Sequence, residues 1–301
     1  MEKEKIVKEI NELKKKKKAV ILAHNYQRGE VQDIADYIGD SLGLSQQAAK
    51  VKAELIVFCG VHFMAETAAI LSPDKIVLIP DINAGCPMAD MITAQELREW
   101  KGRFPGRSVV CYVNTTAEVK AECNICCTSS NAIKVVESIN SNEILFAPDK
   151  YLGSYIASHT EKKMILWDGY CYVHRNILSR HILEKKRQHP NAEVWAHPEC
   201  RPEVLKLADK VLSTGGMVKQ ARETKCKEVI IATEAGIVYR LNKENPGKKF
   251  HPAKEHALCS NMKKITLRKV LLSLQEMKYK VEVPSEIRER AKAAIEKMIR
   301  I

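Results

Sequence analysis

A chain of 301 residues with 45% hydrophobic content is long enough for two or three small domains with formed cores. No run approaches the about 18 apolar residues of a membrane span, and the opening Met1-Glu2-Lys3-Glu4-Lys5 has neither an apolar core nor a small-residue cleavage site, so a cytoplasmic protein with no membrane association is expected. Ten cysteines in that reducing setting point to free thiols and metal ligands rather than disulfides, while the net charge of +12 suits a small anionic substrate as well as nucleic acid and does not choose between them.

In chain order, Ile6, Ile10 and Leu13 recur at helical spacing and run into Lys14 to Lys18, which predicts a surface helix with a solvated basic face; a nucleic-acid-binding tail is the other reading of that run. Short β-branched or apolar runs follow at 19–23, 55–59, 75–79, 108–113, 143–147, 164–167, 193–196 and 228–232. They alternate with helical patterns, the signature of parallel sheets flanked by helices, so the fold class is α/β.

The segments AVILAHNY, SVVCYVNT and EVWAHPEC place His24, Tyr112 and His197 at equivalent strand ends, 88 and 85 residues apart. Seventeen residues beyond each comes a hydroxyl, Ser41, Ser129 and Thr214, opening a helical pattern, and 62, 59 and 62 residues beyond come Cys86, Cys171 and Cys259. Triplication follows as an expectation: three αβα repeats over 1–104, 105–189 and 190–284, with a last helix over 285–301 packing back on the first. Arranged about a pseudo-threefold axis, the repeats would direct the C-terminal ends of their strands at one central cavity.

Three thiolates leave one iron of a [4Fe–4S] cluster without a protein ligand, and an open iron acts as a Lewis acid. Cys123-x-x-Cys126 is the competing local chelate, but no second pair lies near it. Cys59 and Cys111 fall inside apolar strands and read as core residues. Ser41, Ser129, Ser130 and Thr214 read as helix N-caps, and equally as a set of helix starts able to receive carboxylates or phosphate. Thr214-Gly215-Gly216-Met217 is the strongest phosphate-loop candidate. His24, His174 and His197 lie in polar settings fit for acid–base work, and Glu199 is either a general base or a surface carboxylate.

The ordered set LAHNYQ, GDSLGLS, FCGVHFMAE, AGCPMAD, CYVNTTAEVKA, CTSSNA, APDKYLG, WDGYCYVH, WAHPEC, STGGM, IATEAG and ALCSNMK resembles the quinolinate synthase family along nearly the whole chain. The resemblance implies condensation of iminoaspartate with dihydroxyacetone phosphate to quinolinate, with loss of phosphate and water, on the route to NAD. It implies one [4Fe–4S] cluster per chain held by Cys86, Cys171 and Cys259. It also implies catalytic roles for Tyr26, His24, Tyr112, His174, His197 and Glu199, and substrate binding by His24, Ser41, Tyr112, Asn114, Ser129, His197, Glu199 and Thr214. An aspartate oxidase or dehydrogenase would supply the imine to a monomer or homodimer, with no nucleic acid and no membrane as partner. Another [4Fe–4S] hydro-lyase and a basic iron–sulfur or zinc protein on nucleic acid are the competing functions. Cys123 and Cys126 depart from the family pattern.

Overall fold

The run Leu55-Ile56-Val57-Phe58-Cys59 has no polar residue to turn toward water, and all five are buried in a strand covered on both faces, as parallel sheets require. A computed structural model describes residues 2–301 and shows this pattern three times. The first sheet holds β1 (Ala19–His24), β2 (Tyr37–Gly39), β3 (Leu55–Cys59) and β4 (Ile76–Leu78). The second holds β5 (Ser108–Tyr112), β6 (Ile125–Cys127), β7 (Glu143–Ala147) and β8 (Lys163–Leu166), and the third β9 (Glu193–Ala196), β10 (Lys210–Val211), β11 (Glu228–Ala232) and β12 (Lys249–Pro252). In each sheet the order is second, first, third, fourth strand, and every pairing is parallel. The fold is therefore α/β, with three small parallel sheets.

Four strands escaped the sequence reading: β2, β6, β10 and β12. All lie at sheet edges and span two to four residues, too short to show an alternating pattern. The two central strands of each sheet are in register at their ends, with Ala23 opposite Cys59, Cys111 opposite Ala147 and Ala196 opposite Ala232. That alignment presents two loops side by side at the C-terminal end of each sheet, where ligands of open α/β sheets bind.

The N-terminal helix Glu2–Lys16 buries Ile10 and packs on the helix Leu267–Glu276. Its basic end is a solvated face: Lys14 reaches Asp36 at 2.8 Å and Lys18 reaches Glu54 at 2.6 Å. The last helix, Ser285–Arg300, buries Ala291, Ala294, Ile295 and Met298. The sequence placed it on the first repeat; it lies mainly against β6 and the helix Ala117–Ala121, and reaches the helix His62–Leu71 as well. Among the described residues no helix is long and apolar enough to cross a membrane.

The cysteines bring one correction. Cys111 of β5 is joined to Cys123 by a disulfide, with their Cα atoms 6.1 Å apart, so neither is the free thiol expected and Cys123 is no partner for Cys126 in a chelate. The cause is local: the turn after Ala117–Ala121 is tied to β5 by the amide of Asn124 on Val109 O and by Asn124 Oδ1 on the Val109 amide. Cys126 and Cys127 remain buried thiols within β6.

Candidate active site

The first strand of each sheet runs out at a polar ring, His24 and Tyr112 ending β1 and β5 and His197 following β9, and all three line one shared cavity. Its lining includes His24, Tyr26, Ser41, Cys86, Tyr112, Asn114, Ser129, Cys171, His174, His197, Glu199, Thr214 and Cys259, so every candidate site residue from the sequence reaches this one space. All three dispersed cysteines are among them; Cys123 and Cys126 are not.

Cys86, Cys171 and Cys259 are half-buried free thiols, each just before a short helical turn (Ala89–Met91, Tyr172–Arg175 and Met262–Lys264). Burial pushes the Cys86 thiol up to about 12 and raises Cys171 and Cys259 too. Backbone amides two or three residues on oppose that shift: Ala89 and Met88 for Cys86, His174 for Cys171, Met262 and Asn261 for Cys259. Thiols in a shared cavity, desolvated yet supplied with amide N–H groups, are suited to meeting a cationic metal centre as thiolates.

Two carboxylates that the sequence reading left without a role hold two of these loops. Asp149 Oδ2 accepts the Cys171 amide at 3.0 Å, and Glu234 Oε1 accepts the Cys259 amide at 3.0 Å. Both side chains are buried, and each lies two residues past a central strand, β7 and β11. At the matching place after β3 stands Val61, so the Cys86 loop has no such acid there. Their shared phase within the APDK and IATEAG segments was the available signal. Lys263 pairs with Glu234 Oε1 at 2.9 Å and also donates to the Tyr26 carbonyl, which links the Cys259 loop to the Tyr26 loop.

Beside the cysteines, the polar groups form one connected chain through His174. Tyr26 Oη lies 2.5 Å from Thr233 Oγ1, which lies 2.7 Å from His174 Nε2. His174 Nδ1 is 2.9 Å from Glu199 Oε2, and Tyr112 Oη donates to Glu199 Oε1 at 2.6 Å. His174 stacks on His197 with ring centres 4.7 Å apart, and His197 Nε2 meets Ser129 Oγ at 3.2 Å. Burial lowers His24 to about 4 and His197 to about 3, so both imidazoles are neutral at pH 7. Burial alone would raise Glu199, but the His174 and His197 rings and the Tyr112 hydroxyl outweigh it and hold the carboxyl below its usual range. Cys171, His174 and Glu199 bring one ligand atom each within 4.8 Å of one another.

The helix-start hydroxyls differ from the expected caps. Asp40 and Ser213 are the N-caps, bonding the amides of Gly43 and Gly216, and Ser130 Oγ bridges them at 2.6 Å to Asp40 and 2.9 Å to Ser213. Ser41 and Thr214 are instead the first residues of their helices, and Ser129 precedes the helix Ala132–Ser138 by a turn. Gly215 is required by packing, because a Cβ there would stand 2.5 Å from Asp40 Oδ2. Asn114 Oδ1 is buried with no hydrogen-bond partner among the described residues, and the cavity it lines is the place for one.

The model of the family described as quinolinate synthetase A protein matches residues 8–300. A quinolinate synthase of Dehalococcoides mccartyi strain CBDB1 is 60% identical over 301 residues, covering 100% of both chains. One of Thermodesulfovibrio yellowstonii is 54% identical over 294 residues, 97% of each chain, and quinolinate synthase 2 of Methanosarcina acetivorans is 53% identical over 301 residues, 100% of this chain and 97% of its own. With the match spanning all three sheets and every residue of the cavity, the chain belongs to the quinolinate synthetase A family.

Proposed function

We propose that this enzyme condenses iminoaspartate with dihydroxyacetone phosphate to quinolinate, releasing phosphate and water. The observation that carries the reading is the meeting of three cysteines, one from the loop region of each sheet, in a single cavity that also holds a chain of acid–base groups. Cys86, Cys171 and Cys259 would hold one [4Fe–4S] cluster, which when bound supplies an open iron as Lewis acid for a substrate oxygen or nitrogen.

The remaining work falls to side chains. Ser41 and Thr214 open helices that offer free backbone N–H groups and a positive dipole end to the carboxylates and phosphate of the substrates. Asn114 and Ser129 orient the carbon skeleton between them. Glu199, kept ionised by its neighbours, takes a proton during isomerisation and ring closure, and His174, 2.9 Å away, orients the carboxylate for that transfer. Tyr26, whose phenol burial keeps protonated, returns a proton through Thr233 and His174. Neutral His24 and His197 donate hydrogen bonds to substrate oxygens without adding cationic charge. The imine decays in water, so an aspartate oxidase or dehydrogenase working nearby is the expected source.

The test is anaerobic purification with iron and sulfide analysis, followed by quinolinate measurement with imine generated in place and dihydroxyacetone phosphate added. Four irons per chain and quinolinate formation are expected. A fully loaded enzyme that makes no quinolinate from these two substrates would sink the proposal.

A further inference from the structure

At the far end of the third sheet, three side chains from three separate segments converge. Glu228 opens β11, His251 lies in β12, and His189 follows the helix Ser179–Gln188 as its C-cap. In the β11–β12 register Glu228 faces Lys249 and Ile230 faces His251, so Glu228 and His251 are diagonal neighbours on one face of the sheet. Their ligand atoms and that of His189 all lie within 4.8 Å of one another, and all three residues are half-buried.

The separations are informative. His189 Nδ1 is 3.5 Å and His251 Nε2 is 3.3 Å from the same oxygen, Glu228 Oε1. These are long for hydrogen bonds to a carboxylate. A tetrahedral zinc-like ion with bonds of about 2.0–2.1 Å holds its donor atoms roughly 3.3–3.4 Å apart. The two imidazoles stack with centres 3.8 Å apart and planes inclined by 19°, so binding an ion requires one ring to turn out of the stack until both nitrogens face it. The Lys185 ammonium is turned to Glu255 at 2.8 Å. The helix carrying His189 also ends here, and its partial negative end favours a cation.

We propose that His189, Glu228 and His251 form a second metal site, for a first-row dication of the zinc class. Two nitrogens and one carboxylate select that class over magnesium or calcium, and water fills the remaining position. The site lies where β11 begins, whereas Glu234 and the catalytic cavity lie beyond its C-terminal end, about 13 Å away along the strand. It is therefore a clip fastening the edge strand β12 and the preceding helix to β11, and its effect is on the stability of the third sheet rather than on turnover.

Zinc sulfate alone is titrated calorimetrically into the anaerobically loaded enzyme and into His251→Ala, His189→Ala and Glu228→Gln forms, with quinolinate formation measured alongside. One zinc per chain is expected, with Kd raised at least about tenfold in each variant, unchanged turnover without zinc, and a zinc-dependent rise in melting temperature confined to the unsubstituted enzyme. X-ray absorption at the zinc edge should show a nitrogen and oxygen shell with imidazole scattering. Equal zinc affinity in all four proteins, a sulfur-containing shell, or no stoichiometric binding to the unsubstituted enzyme would each overturn the site. Conservative Glu228→Gln keeps the test decisive where a histidine variant folds poorly, and the zinc affinity, the melting temperature and the absorption edge do not depend on the assignment of the reaction.

Discussion

Glu199 sits fully enclosed, yet three groups favour its charge: the Tyr112 hydroxyl at 2.6 Å on one oxygen, His174 at 2.9 Å on the other, and His197 at 3.7 Å. Replacing it with Gln keeps the volume and one acceptor but removes the base. Tyr26→Phe similarly removes only the hydroxyl that faces Thr233. Neither residue belongs to the proposed cluster ligands, so iron and sulfide content should stay at the level of the unsubstituted enzyme while turnover falls about 100-fold or more. Quinolinate formation at the ordinary rate in a variant would take that residue out of the chemistry, and loss of iron from either would show that it acts on the cluster instead.

At the level of elements, the cysteine loops after β8 and β12 are each fixed by a buried acid that follows β7 or β11, and the Cys86 loop after β4 has no such acid after β3. Glu234→Ala removes both the acceptor for the Cys259 amide and the partner of Lys263. A second-layer loss of this kind typically costs about 10–100-fold in metal affinity, so the cluster of that variant should be stripped correspondingly faster by an iron chelator under anaerobic conditions. Chelation at the unsubstituted rate would mean that Cys259 is positioned by its turn alone. The central strands, the α/β class and the converging residues were legible because apolar runs and repeat phase are properties of the chain itself. His24, Tyr112 and His197 could be matched by counting. The edge strands β2, β6, β10 and β12 were not legible, since two to four residues carry no period, whereas the edge strands β4 and β8 showed as apolar runs. Nor were Asp149 and Glu234, whose role depends on accepting an amide 22 or 25 residues away. The Cys111–Cys123 bond was missed for a different reason: an argument from compartment was applied where the proximity of a turn to β5 decides.

Across the whole molecule, the last helix ties together parts that the sheets leave separate, and Glu122 is where its charge meets the body. Glu122 takes Arg290 of that helix at 2.8 Å and Arg98 at 3.0 Å, with Lys101 at 3.7 Å, while Asn131 Nδ2 donates to Met298 O at 3.0 Å farther along. Partial burial pushes the Glu122 carboxyl up, but the hydrogen bonds and charges of Arg290 and Arg98 outweigh it and leave its pKa below the ordinary value. A carboxylate depressed in the folded state contributes stability that is fully present above its unfolded pKa of about 4.3 and is lost as pH falls through the lower folded value. Glu122→Gln should therefore lower stability by about 1–3 kcal/mol at pH 7, seen as a melting temperature reduced by a few degrees. The gap between the two proteins should narrow only as the pH drops below about 4.3 and the unsubstituted carboxylate takes up its proton. Thermal unfolding of both proteins in the same buffers from neutral to acid pH reads this directly. A gap that stays constant through the acid range would mean that Glu122 holds the helix by shape and hydrogen bonding, with its charge contributing nothing.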